Sequence, residues 1–539
     1  MYAKHRLAPR VVVFTAMIML ATGTSQAAQT HVMVFGMDGV RPDAMAVANT
    51  PNLDALIDNG TYSSNATASD LTFSGPGWTD LLSGVHRDQH GVATNGTADN
   101  PSEANPQFQI FSGSNQHNFP DLLAIANTAN PALQTARFIG EWNPLHTTRS
   151  PAGSEYTFVG NDAQATANAV SYYSNAANDA HVGYLYFANP DFAGHASGFH
   201  PNAAGYTNQI SATDAQIGSV VAAIQSRPNF ASEDWLFIVG SDHGGVSNGG
   251  HSGNAPWSRE VPLIVSGAAA MNQTLDYGAK NVDIVPTALA HLGIAAPANL
   301  VGHVVGLAAS PKPTAGFGTN LIFNGDGEYD RGFTNHGMDQ AVSGWEEFGD
   351  ANFIAETSSR IGNQSATVLQ YNTPGGFPLA GDPGSADRGE NFISAGAASS
   401  TSEMTQRIDV SSLAAQIDAD QVDFEASAYL GGFSSQNDKA DFAAHFLAAD
   451  GTTQLGSILL AGPNAAGRGN VTGLFEQNAS GDLITGTRFI EFVLSTNGND
   501  GYADNLSFTL SAVPEPSTFV LAALGILGLL GFGRRRKRG

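Results

Sequence analysis

The stretch DWLFIVGSDHGG, residues 234–245, decides the fold. Trp235 to Gly240 are all apolar or small, and the run leads directly into Ser241, Asp242 and His243. A strand that is apolar on every position has both faces covered, which is the condition of a parallel sheet between layers of helices. Three more runs have this character: HVMVFGMD (31–38), VGYLYFANPD (182–191) and VPLIVSG (261–267). Helical patterns such as FPDLLAIAN (119–127) and YTNQISATDAQIGSVVAAIQSR (206–227) lie between them. The alternation predicts an α/β domain with a buried, mostly parallel sheet sandwiched by helices.

Three of the runs end in residues that carry chemistry. The first ends in Asp38, the second in NPDFAGH with Asp191 and His195, and the third in Asp242 and His243, with His251 following in GGHSG. Ligands of open α/β sheets bind beyond the carboxyl ends of the strands, so these residues are expected on one surface. Any one of them alone reads as a helix cap or a turn. Together, three carboxylates and three imidazoles suit two zinc-like divalent ions, each with three protein ligands and an open position. The segment LTFSGPGWTDLLSG (71–84) adds four hydroxyls, Thr72, Ser74, Thr79 and Ser83. By itself it reads as a helix start, with Ser74 as the cap and Pro76 in the first turn.

Bulk properties narrow the possibilities. The chain has 539 residues, no cysteine and a formal charge of −25. Disulfides and thiolate catalysis are thereby excluded, and an acidic surface of this kind argues against bulk nucleic-acid binding. A phosphate-ester substrate would need a local positive centre, which metal ions supply. Residues 1–28 have a basic start, the apolar run VVVFTAMIMLA and then small residues, the order of a signal peptide. Residues 513–539, VPEPSTFVLAALGILGLLGFGRRRKRG, closely resemble the PEP-CTERM sorting tail. That resemblance implies export by a Gram-negative bacterium to the periplasm, outer surface or extracellular matrix. It also implies transient inner-membrane anchoring and removal of the tail by an exosortase.

Six segments, in order, resemble the alkaline phosphatase superfamily, above all its nucleotide pyrophosphatase/phosphodiesterase-like branch. They are DGVRPD (38–43), TPNLDAL (50–56), SGPGWTDLLSGVHRDQHG (74–91), DFAGH (191–195), SDHGG (241–245) and DIVPTALAHLG (283–293). The family nucleophile stands two residues before a proline, which makes Ser74 the matching hydroxyl and leaves Thr72 out of register. The resemblance implies that Asp38, Ser74, Asp242 and His243 hold one ion and that Asp191, His195 and His251 hold the other, with His303 as a competitor for His251. It implies that Asn95 binds a phosphoryl oxygen. Gly77 and Trp78 depart from the polar pair of the family, and Trp78 reads either as a wall for a leaving group or as packing. Arg41 reads as structural and Arg149 as the one loose candidate for a cationic clamp. The scarcity of such cations favours diesters. The expected activity is therefore a di-metal phosphodiesterase acting through a Ser74 phospho-enzyme. A phosphomonoesterase, a sulfatase and a non-catalytic surface or matrix protein with structural metals stand as alternatives.

Residues 29–308 are expected to form the catalytic domain and 309–319, rich in Pro, Gly and Ala, a linker. From 320 to 512 the texture changes to short alternating segments such as VDFEASAYL (422–430) and RFIEFVLS (488–495), which predict an all-β sandwich. NLIFNGDGEYDRGF (320–333) and GYADNLSFTL (501–510) resemble the first and last strands of jelly-roll, carbohydrate-binding-module-like domains. That resemblance implies a calcium ion held by Glu328 and Asp504. It also implies a surface polysaccharide as partner, with Trp345 and Phe377 as a sugar platform or as core.

Overall fold

The computed structural model describes residues 29–68, 71–92, 95, 120–142, 155–158, 160–251, 256–275, 278–335, 340–346, 366–395 and 401–513. The signal-peptide segment, Arg149 and all of the sorting tail after Val513 lie outside these residues.

The four apolar runs are among the strands of one eight-stranded sheet. In chain order they are β1 (Gln29–Met37), β2 (Gly60–Thr67), β3 (Gln134–Ile139), β4 (Glu155–Phe158), β5 (Ala180–Phe187), β6 (Glu233–Gly240), β7 (Glu260–Gly267) and β8 (Gln273–Thr274). Their spatial order is β4-β3-β5-β1-β6-β7-β2-β8. The first five in that order run parallel. β7 lies antiparallel to both β6 and β2, so VPLIVSG does not continue the parallel set. The excursion from Ser241 to Arg259 holds only one four-residue helix, Pro256–Arg259, among its described residues. Without a full crossover helix the chain returns beside β6 in the opposite direction.

Successive β1 side chains point to opposite faces and are buried on both. Val32 and Val34 join one core with Trp78, Leu81, Leu123 and Leu289. Met33, Phe35 and Met37 join the other with Leu53, Ala165, Tyr206 and Ile217. Helices Ser74–Ser83, Leu122–Ala129 and Ile284–His291 therefore cover one face, and Pro51–Asp58, Asp162–Tyr173 and Ala204–Gln225 cover the other. β5, β1 and β6 are adjacent and parallel, in the register Phe35↔Leu185 and Phe35↔Val239. Their carboxyl ends, and the three carboxylates that follow them, come out along one edge of the sheet.

The C-terminal region consists of two antiparallel sheets. One has the order β15 (Gly473–Asp482), β12 (Val422–Gly432), β17 (Gly501–Ala512), β10 (Asn391–Ser394), β9 (Thr367–Gln370). The other has the order β11 (Thr401–Asp409), β16 (Phe489–Asn497), β13 (Lys439–Leu447), β14 (Gln454–Ala461). Phe424, Phe442, Phe446, Phe492 and Phe508 fill the space between them. Residues 320–333 are not a strand. They run beside β17 through isolated pairings, with the Leu321 amide donating to Phe508 O at 2.9 Å. Asn324 there has a φ of 52°, outside the strand range. Trp345 and Phe377 are 3% and 5% exposed, so both pack inside and neither offers a sugar platform.

The two regions meet through ion pairs, one of them buried. Lys280 Nζ donates to Asp330 Oδ1 at 2.6 Å and to Gln340 Oε1 at 3.3 Å. Asp330 also accepts from the Ser343 amide and hydroxyl. Arg331 pairs with Asp88 at 2.8 Å.

Candidate active site

Helix Ser74–Ser83 starts at the sheet edge where β1 and β6 end. Its N-cap is Phe73, in extended conformation and making no side-chain cap bond. Ser74 is thus the first helical residue, not the cap that the sequence suggested, and its hydroxyl is not spent on the helix. Ser74 Oγ lies 3.3 Å from His243 Nε2. His243 Nε2 lies 3.4 Å from Asp38 Oδ1 and 3.4 Å from Asp242 Oδ2. On the outer side, His195 Nε2 lies 3.4 Å from Asp191 Oδ2 and 3.2 Å from His251 Nε2, and His251 Nε2 lies 3.9 Å from Asp191 Oδ1. The rings of His243 and His251 stack at 3.9 Å and join the two halves.

All three imidazoles are oriented in one way. His243 Nδ1 is 2.8 Å from Gly244 O, His195 Nδ1 is 2.7 Å from Gly249 O and His251 Nδ1 is 2.5 Å from Thr72 O. A carbonyl only accepts, so each Nδ1 carries the proton and each Nε2 presents a lone pair to the centre. The carboxylates complement them. Asp38 Oδ1, Asp191 Oδ1 and Asp242 Oδ2 are buried and have no hydrogen-bond partner. Buried acceptors facing buried acceptors are unfavourable unless a cation lies between them. Donors about 2.0–2.1 Å from a tetrahedral zinc stand about 3.3–3.4 Å apart, and most of the spacings here fall in or near that range. The ligating atoms of Asp38, Asp242 and His243 all lie within 4.8 Å of one another, and so do those of Asp191, His243 and His251.

The electrostatics agree with a site suited to positive charge. Burial raises the Asp38 and Asp242 carboxyls well above the usual range, and mutual repulsion with Asp191 adds to it. Burial works the same way on Asp191, but the nearby His195, His243 and His251 hold it below the ordinary value. Among the described residues, the leading influences on all three come from burial, carboxylates, histidines and neutral donors, with no lysine or arginine among them. Arg41 is spoken for: it bonds Asp43, Phe199 O and Gly245 O, as a structural residue would.

Three residues have roles the sequence did not reveal. Trp78 is fully buried and donates its indole N–H to Asp38 Oδ2 at 3.1 Å, so it forms no pocket wall. Tyr186 donates to the same oxygen at 2.6 Å. The Thr72 hydroxyl donates to His251 O while its own carbonyl takes the His251 Nδ1 proton, which ties Thr72 to a ligand and away from substrate. Asn95 Oδ1 accepts from the Gly75 amide at 2.7 Å, beside Ser74. His303 bonds Tyr329 O at 2.7 Å and does not join the cluster.

Residues 32–257 match the type I phosphodiesterase / nucleotide pyrophosphatase family. The matched span contains Asp38, Ser74, Asn95, Asp191, His195, Asp242, His243 and His251. Residues 512–537 match the PEP-CTERM protein-sorting motif, a mark of an exported protein. Among solved structures, the chain is similar to murine ectonucleotide pyrophosphatase/phosphodiesterase 5, at 15% identity over 51% of this chain and 97% of that one, with a TM-score of 0.40. The human protein of the same name gives 13% identity over 50% and 96%, with a TM-score of 0.38. A 2-O GAG sulfatase gives 17% identity over 51% and 73%, with a TM-score of 0.40. No curated protein matches the sequence. Among the described residues no helix is long and apolar enough to cross a membrane.

In the second region, Glu328 Oε1 accepts from the Glu390 and Asn391 amides, and Asp504 accepts from Tyr371 and from the Asn505 amide. Among the described residues neither belongs to a group of three potential ligands within ligating distance of one another.

Proposed function

We propose that the protein is an exported, metal-dependent phosphodiesterase in which Ser74 is the nucleophile. The observation that carries this reading is the convergence of three Nδ1-anchored imidazoles and three unpartnered carboxylate oxygens, with the Ser74 hydroxyl 3.3 Å from one of the imidazoles. Asp38, Asp242, His243 and Ser74 would hold one divalent ion, and Asp191, His195 and His251 the other. Bound there, zinc-like ions would lower the pKa of the serine hydroxyl and stabilise the attacking and leaving oxygens of an in-line displacement.

The chain's own residues supply the rest. Ser74 Oγ gives up its proton and forms a bond to phosphorus as the ester's alkoxide departs and takes up a proton; water then cleaves the Ser74 phosphodiester, which releases the phosphate monoester and restores the serine hydroxyl. The start of the helix favours the negative charge that gathers there. Asn95 uses its carbonyl oxygen on the Gly75 amide, which leaves its amide N–H groups as donors for a non-bridging oxygen. A diester presents one negative charge, within reach of a metal pair and a neutral donor. An exosortase would remove the C-terminal tail during export.

Turnover of an aryl phosphodiester by metal-stripped protein, before and after zinc is restored, tests the reading. Zinc-dependent hydrolysis is expected. A zinc-loaded protein that cleaves the matching aryl sulfate and leaves the diester intact would overturn it.

A further inference from the structure

Asp38 is held in an asymmetric way. A carboxylate has about four lone-pair sites. Both sites of Oδ2 are filled, one by the Tyr186 hydroxyl at 2.6 Å and one by the Trp78 indole N–H at 3.1 Å. Oδ1 has no partner and points to the Ser74–His243 side, 3.4 Å from His243 Nε2. Both donors are buried, and their rings meet at 5.1 Å and 89°. Neither can swing away without leaving a buried polar atom unsatisfied.

Trp78 also stands one helical turn after Ser74, and residues four apart lie on one face of a helix. A single helix therefore brings two groups to the same site: Ser74 Oγ directly, and a donor that fixes the opposing ligand. The surroundings are cut to fit that arrangement. A Cβ on Gly36 in β1 would stand 2.6 Å from two ring atoms of Trp78, and a Cβ on Gly77 would stand 2.6 Å from Asp242 O. The helix is thus seated directly on both strand ends, with the indole filling the space over Gly36.

We infer that Trp78 and Tyr186 are positioning residues that force Asp38 to ligate through Oδ1 alone and so set the affinity and geometry of the Ser74-side ion. The inference rests on the metal-centre reading above. With Oδ2 saturated, a chelating carboxylate is unavailable, and the ion keeps a coordination position for the Ser74 oxygen. Outer-shell partners of metal ligands typically tune affinity or activity by about 10–100-fold.

Zinc titration of the metal-stripped full chain, by calorimetry against a competing chelator, is the test. Wild type is expected to bind in two steps. Trp78→Phe, which keeps a ring and removes the N–H, is expected to weaken one step about tenfold or more and to leave the other within about twofold. Tyr186→Phe removes a single oxygen and should weaken that same step, so it decides the matter if Trp78→Phe fails to fold. A merely structural role predicts that both steps move together, because the two halves share the His243–His251 stack. Equal weakening of both steps, or neither variant departing from wild type, overturns the inference. A wild type that binds no zinc overturns this inference and the metal-centre reading together. Binding is read without turnover: a protein that binds two ions and cleaves no diester sinks the phosphodiesterase reading, while the two variants still decide on Trp78 and Tyr186.

Discussion

Ser74 Oγ and His243 Nε2 stand 3.3 Å apart, and the other nitrogen of that imidazole is committed to the Gly244 carbonyl. Burial and the adjacent His251 push His243 down to about 3, so it is a poor proton acceptor at neutral pH. The pair is therefore not poised as a serine–histidine couple of the protease kind, and in the proposed reaction activation of the hydroxyl would fall to bound metal. Ser74→Ala should abolish diester hydrolysis while preserving the thermal unfolding profile and most zinc binding. Thr72→Val should lower the rate through the loosened His251, without abolishing it. Steady-state rates for the two variants check this, and a fully inactive Thr72→Val beside a near-normal Ser74→Ala would reverse the assignment.

Substrate charge gives a second test. A monoester dianion carries one more charged oxygen than a diester, and among the described residues no lysine or arginine is a leading influence on the three central carboxylates. A missing charge-assisted contact costs about 1.5–3 kcal/mol, a factor of roughly ten to a hundred. With the same aryl leaving group, kcat/KM at pH 8 should be at least about tenfold higher for the diester. A preference for the monoester would direct attention to Arg149.

The second region should respond to pH through Asp504. Burial first, then Asp326 and Glu328, push its carboxyl up to about 8, against 3.8 for an ordinary aspartate. Between those values the folded chain holds a proton that the unfolded chain has lost, so this group's contribution to stability falls as pH rises through that window. Above about 8 the loss is complete. The melting temperature of Asp504→Asn should accordingly change less between pH 5 and pH 8 than that of wild type. Millimolar calcium at pH 8 examines Asp504 and Glu328 as ligands: if they hold the ion, it raises the wild-type melting temperature and leaves the Asn variant unmoved.

Processing of the ends is checked by mass. Protein recovered from its native host should begin near Gln29 and lack the basic cluster 534–538. Intact mass with RRRKR still attached would contradict exosortase cleavage.

What could be read in the sequence follows from what each residue type must do. Apolar runs ending in Asp38, Asp191 and Asp242 announce strands buried on both faces because they are short and alternate with helical patterns, and the three ends do share one edge. The direction of β7 was hidden, since an apolar run says nothing of strand polarity. Tyr186 was hidden too: inside YLYF a tyrosine reads as core, and only the fold turns its hydroxyl to Asp38. Trp78 gave no signal beyond bulk, because one indole proton decides its role. Trp345 and Phe377 could not be assigned to a surface because aromatic residues between short strands fit either face.

The close seating of Trp78 over Gly36 limits which protein sequences can be reached from this one. Any side chain at position 36 collides with the indole and stands 3.0 Å from the Tyr184 hydroxyl, so a smaller residue at 78 is the first requirement for one there. Substitutions at the two positions must therefore arise in a fixed order, with 78 changing first. Once a larger residue occupies 36, the tryptophan cannot return. A substitution that looks minor in β1 would then act as a ratchet, committing a lineage to another way of holding Asp38.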